Sequence, residues 1–128
     1  MSRILLVEDE PFLSSLLKNR LEKEGFEVTL AKDGEEALNS IRSAKPDLVL
    51  LDVILPKKSG FELIEELRKE PKFQAKDLPV IILSNLGQPE DVSRGEDLGA
   101  TQYLIKAKIS IDDLVQKIKD LLKKNGAK

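Results

Sequence analysis

Residues capable of chemistry stand in this chain where apolar runs end. Glu8 and Asp9 follow Ile4 to Val7, Asp52 follows Leu48 to Leu51, Ser84 and Asn85 follow Val80 to Leu83, and Lys106 follows Tyr103 to Ile105. If the runs are strands of one parallel sheet, their ends share an edge, and open α/β sheets bind ligands outside that carboxyl edge. Three carboxylates, a hydroxyl and an ammonium then converge. Two carboxylates about 4 Å apart repel by roughly 4 kcal/mol at an effective dielectric of about 20, so something must neutralise them. A hard divalent cation with oxygen ligands fits, and magnesium suits a site of few carboxylates better than calcium does. Bound magnesium would attract a phosphoryl group.

Each member alone has an ordinary structural explanation. Acids after a strand often cap the next helix, and Glu10 before Pro11 suits that task, so Glu8 and Asp9 serve equally well as caps or ligands. Ser84 alone is a strand-end hydroxyl, Lys106 a solvated or snorkelling lysine, and Tyr103 a core aromatic with its hydroxyl outward. Asp52 is harder to dismiss, because an unpaired carboxylate at the end of the most apolar segment is costly unless function retains it. The set is far more specific than its members.

The elements that must position this set are legible. The apolar runs, with a weaker one at Val28 to Ala31, are continuous and rich in branched residues, as buried parallel strands are. Between them lie amphipathic helical stretches: Leu13, Leu16, Leu17 and Leu21; Ala37, Leu38 and Ile41; Leu63, Ile64 and Leu67; and Ile111 to Leu122. Asp33, Ser59 and Ser110 each precede an acid by three residues, a helix-start signature, while Pro11 and Pro89 suit first-turn positions. The stretch from Pro89 to Leu98 has one large apolar residue before its last position and carries Gly95, so it is expected to be the least stable helix. Alternating strands and helices imply a parallel sheet covered on both faces.

Composition removes other chemistries. The chain contains no Cys and no His, which excludes disulfides, thiol nucleophiles, imidazole bases and most zinc or haem sites. With 41% hydrophobic and 34% charged residues it should bury a core, and its length suits one domain, residues 1–128. A net charge of -2 gives no general attraction to nucleic acid or anionic lipid. No run approaches the roughly 20 apolar residues of a membrane span, and no signal-peptide core follows Met1, so a cytoplasmic location is expected.

Leu5-Leu6-Val7-Glu8-Asp9-Glu10, Leu50-Leu51-Asp52-Val53-Ile54-Leu55-Pro56 with Gly60, Ser84, and Tyr103-Leu104-Ile105-Lys106 together resemble, in order and spacing, the receiver domain of two-component response regulators. The resemblance implies a flavodoxin-like fold: a five-stranded parallel sheet in the order 2-1-3-4-5, flanked by five helices. It further implies that Asp52 accepts a phosphoryl group from a phosphohistidine of a sensor histidine kinase or phosphotransfer protein. Asp9, Asp52 and the Ile54 backbone carbonyl would hold magnesium, with Glu8 reaching it through water. Lys106 and Ser84 would contact phosphoryl oxygens. On phosphorylation Ser84 would move toward the phosphate, Tyr103 would turn inward, and the face of the fourth helix, fifth strand and fifth helix would repack to control a protein partner.

Such a domain catalyses only its own phosphoryl transfer and dephosphorylation, as a monomer or a phosphorylation-linked dimer. The chain departs from the pattern at Ala107, where the family usually has Pro in a cis bond; without Pro a cis bond costs about 2.5–4 kcal/mol, so a trans Lys106-Ala107 bond is expected. Asn85 stands where Ala or Gly is usual, and is expected to narrow access to Asp52 or to bond the phosphoryl group. Ile54 and Leu86 are expected to shield the site from water and slow dephosphorylation.

Two other functions compete. A haloacid-dehalogenase-type phosphatase would need a general acid two residues beyond the nucleophile, where Ile54 stands. A receiver-like docking module independent of phosphorylation would need none of the chemistry. No output module lies within the 128 residues, so a stand-alone receiver or one cut from a longer chain is expected, and the helix stop suggested by Lys123 to Gly126 favours the former.

Overall fold

The computed structural model describes residues 2–74 and 77–124. Five strands, β1 (Arg3–Val7), β2 (Glu27–Ala31), β3 (Leu48–Leu51), β4 (Val80–Ser84) and β5 (Gln102–Ile105), form one parallel sheet ordered β2-β1-β3-β4-β5. Five helices connect or follow them: α1 (Pro11–Lys23), α2 (Gly34–Ala44), α3 (Gly60–Arg68), α4 (Pro89–Leu98) and α5 (Ile111–Lys124). Strand order and helix number match the sequence expectation. The suggested stop beyond Lys124 lies outside the described residues.

Period-two alternation divides each strand between two cores. Leu5, Val7, Val49, Leu51, Val80 and Ile82 pack toward Ala37, Leu38 and Ile41 of α2 and Leu63, Ile64 and Leu67 of α3. Ile4, Leu6, Leu48, Leu50, Ile81 and Leu83 meet Leu17 and Leu21 of α1 and Leu114, Val115 and Ile118 of α5. Each Val, Leu or Ile among them, fully buried, contributes about 1.5–3 kcal/mol of hydrophobic stabilisation.

The helix starts follow their signals. Asp33 accepts from Glu36 N, Ser110 from Asp113 N, and Ser59 with Glu62 closes a reciprocal capping box. Glu10 caps α1 by accepting from Phe12 N and Leu13 N, with Pro11 in the first turn. That releases Glu8 and Asp9 from capping duty.

Three expectations need correction. The strand at Tyr103 to Ile105 is only half-buried, because β5 is an edge strand paired with β4 alone. Leu16, read as part of the apolar face of α1, is 43% exposed, since Leu17 and Leu21 take the sheet-facing positions. Ser84 is the last residue of β4 rather than a residue beyond it. Helix α4 starts without a side-chain cap and buries only Gly95.

Candidate functional site

The strand register builds the site. Val7, Leu51 and Ile82 lie in one row across β1, β3 and β4, so Glu8 and Asp52 occupy adjacent places just past it. Their backbones remain tied to the sheet through Glu8 N to Ala31 O (3.1 Å) and Asp52 N to Val7 O (3.0 Å). Ser84 pairs with Ile105, which delivers Lys106 to the same edge.

Lys106 is the centre of the charge arrangement. Its Nζ lies 2.8 Å from Asp52 Oδ2 and 3.0 Å from Glu8 Oε1. Asp52 is 8% exposed and Glu8 is 4% exposed. The remaining oxygens are also used: Val53 N–H donates to Asp52 Oδ1 at 2.7 Å, and Glu10 N–H donates to Glu8 Oε2 at 3.2 Å. Burial pushes the Glu8 carboxyl above its ordinary range; the Lys106 hydrogen bond opposes this and the Asp52 charge adds to it. Burial works to lower the Lys106 ammonium, but its hydrogen bonds to Asp52 and Glu8 outweigh that and raise it. Lys106 therefore stays charged.

Asp9 is exposed beside this pair. One carboxylate oxygen from each of Glu8, Asp9 and Asp52 can be chosen so that all lie within 4.8 Å of one another. An all-oxygen acidic set of that spacing fits a hard divalent cation and no soft one.

The loop after β3 frames the acceptor. Gly60 N–H donates to Val53 O at 2.8 Å, and a Cβ at Gly60 would press on the Asp52 carbonyl oxygen and lie 2.8 Å from Val53 Cα. Lys57 takes a left-handed conformation (φ 67°), bridged by Lys58 N to Pro56 O at 2.7 Å. Neither the turn at Lys57 nor the close approach at Gly60 has a local sequence signal beyond the glycine itself. Ile54, 63% exposed, points into solvent here, whereas Leu86 packs against the core. Of the two expected shields, Ile54 is exposed and Leu86 is half-buried.

On the β4 side Ser84 is buried, and its Oγ accepts from Leu86 N–H at 3.2 Å. Tyr103 donates its hydroxyl to Leu86 O at 2.6 Å. Burial raises the Tyr103 phenol above its ordinary value, and the Asp91 charge adds to it. The outward hydroxyl expected from the sequence is thus folded back onto the β4–α4 loop. Asn85 is exposed. The Lys106–Ala107 peptide is trans, and Lys106 opens a short 3-10 turn through Lys108.

Two connections escaped sequence reasoning. Arg68, at the end of α3, donates to Gly99 O (2.8 and 3.1 Å), Phe73 O (2.8 Å) and Leu78 O (2.9 Å). Arg94 of α4 stacks over the Phe61 ring, 4.6 Å from its centroid. Among the described residues no helix is long and apolar enough to cross a membrane.

A doubly covered parallel sheet with acids, a hydroxyl and a lysine at its carboxyl edge defines a class that the comparisons identify. The family of the response regulator receiver domain matches residues 4–119, and the chain belongs to it. It is 42% identical over 125 residues to the transcriptional regulatory protein CpxR of Escherichia coli K12, spanning 98% of this chain and 51% of that protein. Among solved structures it is similar to the Francisella response regulator 1452 receiver domain, with 32% identity, a TM-score of 0.88, and coverage of 97% of this chain and 98% of that one. A CheY-like receiver domain protein from Methanospirillum hungatei gives 30% identity and a TM-score of 0.88, covering 98% and 96%. The chain spans about half the length of curated transcriptional regulators that it matches.

Proposed function

We propose that this chain is a phosphorylation-dependent signalling switch in which Asp52 is the phosphoryl acceptor. The observation that carries the reading is the convergence of the Glu8, Asp9 and Asp52 carboxylates within 4.8 Å, with Lys106 already on Asp52. The donor is a phosphohistidine of a sensor histidine kinase or phosphotransfer protein. An Asp52 carboxylate oxygen attacks phosphorus, the P–N bond breaks, and the electron pair leaves on the imidazole, which is then protonated. The product is an acyl phosphate.

Catalysis here is positioning and charge neutralisation rather than acid–base work. Lys106 pairs with a phosphoryl oxygen and Ser84 donates its hydroxyl to another. Glu8, Asp9, Asp52 and the Ile54 backbone carbonyl would hold magnesium, whose charge offsets that gathering on the phosphoryl oxygens. No carboxylate stands two residues beyond Asp52, so the chain lacks the general acid a phosphatase of that layout would use. Output passes through a protein partner or a module joined to the chain.

The partner's approach is marked by exposed apolar side chains. Phe12 (78% exposed) and Leu16 (43%) lie on α1, which begins just after Glu8 and Asp9, and Ile54 (63%) lies two residues beyond Asp52 in the loop after β3. A donor protein must cover this rim to deliver phosphorus to a carboxylate that is 8% exposed.

Incubation with acetyl phosphate, with and without magnesium, followed by intact mass measurement, tests the reading. A magnesium-dependent gain of one phosphoryl group, lost in Asp52→Ala, supports it. No gain under conditions that label a known receiver would leave the docking-module function in its place.

A further inference from the structure

Tyr103 lies under α4 in the unmodified chain, and the reason is a missing side chain. A Cβ on Gly95 would stand 2.8 Å from Tyr103 Cδ2, 3.1 Å from Tyr103 Cε2 and 2.9 Å from Ile82 Cδ1. Real Cβ atoms do not approach that closely. Gly95 is also the one residue of α4 that is buried, so the helix meets the sheet through the surface on which the tyrosine ring rests. The ring packs on the core shared with α2 and α3, and its hydroxyl reaches Leu86 O.

We propose that Gly95 is the positioning residue that seats Tyr103 inward before any phosphorylation, so that the resting chain already presents the ring-in arrangement of α4 and β5. An alanine at 95 would turn the ring out by rotation about its own side-chain bonds, while the terminal methyl of Ile82, the far end of a flexible side chain, shifts to relieve the second contact. Leu86 O would then lose its hydroxyl donor, and Leu86, whose N–H holds Ser84 Oγ, would lose one of its two ties. Position 95 thus sets the resting geometry of the surface a partner reads. Arg94, stacked on Phe61 beside it, holds the same helix against α3 and keeps the seat in place. The inference concerns the unmodified chain and stands whether or not Asp52 accepts a phosphoryl group.

The chain has one Tyr and no Trp, so its intrinsic fluorescence reports Tyr103 alone. Acrylamide quenching of the unphosphorylated protein, without magnesium or phosphodonor, should be weaker than for free tyrosine amide, because one face of the half-buried ring is covered by α4 and the core. Gly95→Ala should bring quenching close to the free value. Thermal melts give a second readout. Alanine is the better helix former, so Gly95→Ala should raise Tm in a Tyr103→Ala background and fail to raise it when the tyrosine is present. Free-like quenching of the parent chain would overturn the proposal. So would a folded Gly95→Ala variant with parent-like quenching, or an equal rise in Tm in both backgrounds.

Discussion

Lys106 and Asp52 are joined by a 2.8 Å ion pair across 54 residues of sequence, in a site where the lysine side chain retains 18% exposure. The same ammonium also holds Glu8, so one cation keeps two buried carboxylates together. Lys106→Gln should therefore cost about 1–3 kcal/mol of stability, because it leaves like charges facing each other without a counter-ion. Magnesium should raise the melting temperature of this variant more than that of the parent. Equal shifts in the two proteins would show that the lysine does not neutralise the pair.

Gly60 should tolerate no side chain. Its missing Cβ faces the backbone of Asp52 and Val53, which cannot rotate away as a side chain could. Gly60→Ala is expected to lower stability by about 1–3 kcal/mol, the usual cost of overpacking, and to slow phosphoryl uptake by displacing the acceptor. Denaturant midpoints and labelling rates measured on the same preparation check both effects.

Arg68 ties three separate backbone carbonyls to the end of α3 without a carboxylate partner among the described residues. Burial lowers its pKa, against the pull of Asp77, but a guanidinium remains charged. Arg68→Met should destabilise by about 2–4 kcal/mol, since each orphaned acceptor loses a charge-assisted hydrogen bond. Arg68→Lys should recover only part of this, because an ammonium lacks the planar fork. Full rescue by lysine would contradict the geometry.

Phe12 and Leu16 offer a test that separates chemistry from docking. Phe12→Ser and Leu16→Ser should leave stability within about 0.5 kcal/mol, as exposed positions do, and leave acetyl phosphate labelling unchanged. Transfer from a phosphohistidine protein should fall about tenfold for each contact worth about 1.4 kcal/mol. Parent-like transfer rates would place the docking surface elsewhere.

Ile54→Asn and Leu86→Glu should act differently, although both were expected to shield the acceptor. Ile54 is exposed at the site rim, so the asparagine should speed hydrolysis of the acyl phosphate by admitting water. Leu86 packs on the core, so the glutamate should lower stability. Unfolding curves and phosphate release time courses distinguish the two.

Much of this protein was legible in one dimension, because strands, caps and strand-end polar residues are written in neighbouring positions. The apolar runs set which segments lie buried in the sheet, Asp33, Ser59 and Ser110 announced their helices, and the order of acids, hydroxyl and lysine singled out the carboxyl edge. The sequence could not apportion Glu8, Asp9 and Glu10, since three adjacent acids offer the same chemistry until the entry angle of α1 assigns the cap to Glu10. Nor could it show that β5 is half-buried, that Leu16 faces out, or that Lys106 bridges two acids, because exposure and long-range pairing depend on which elements become neighbours. Arg68 carries no local signal, and Gly95 announces only a weak helix. Their roles exist only once Gly99, Phe73 and Leu78, or Tyr103 and Ile82, are brought to them by the folded chain.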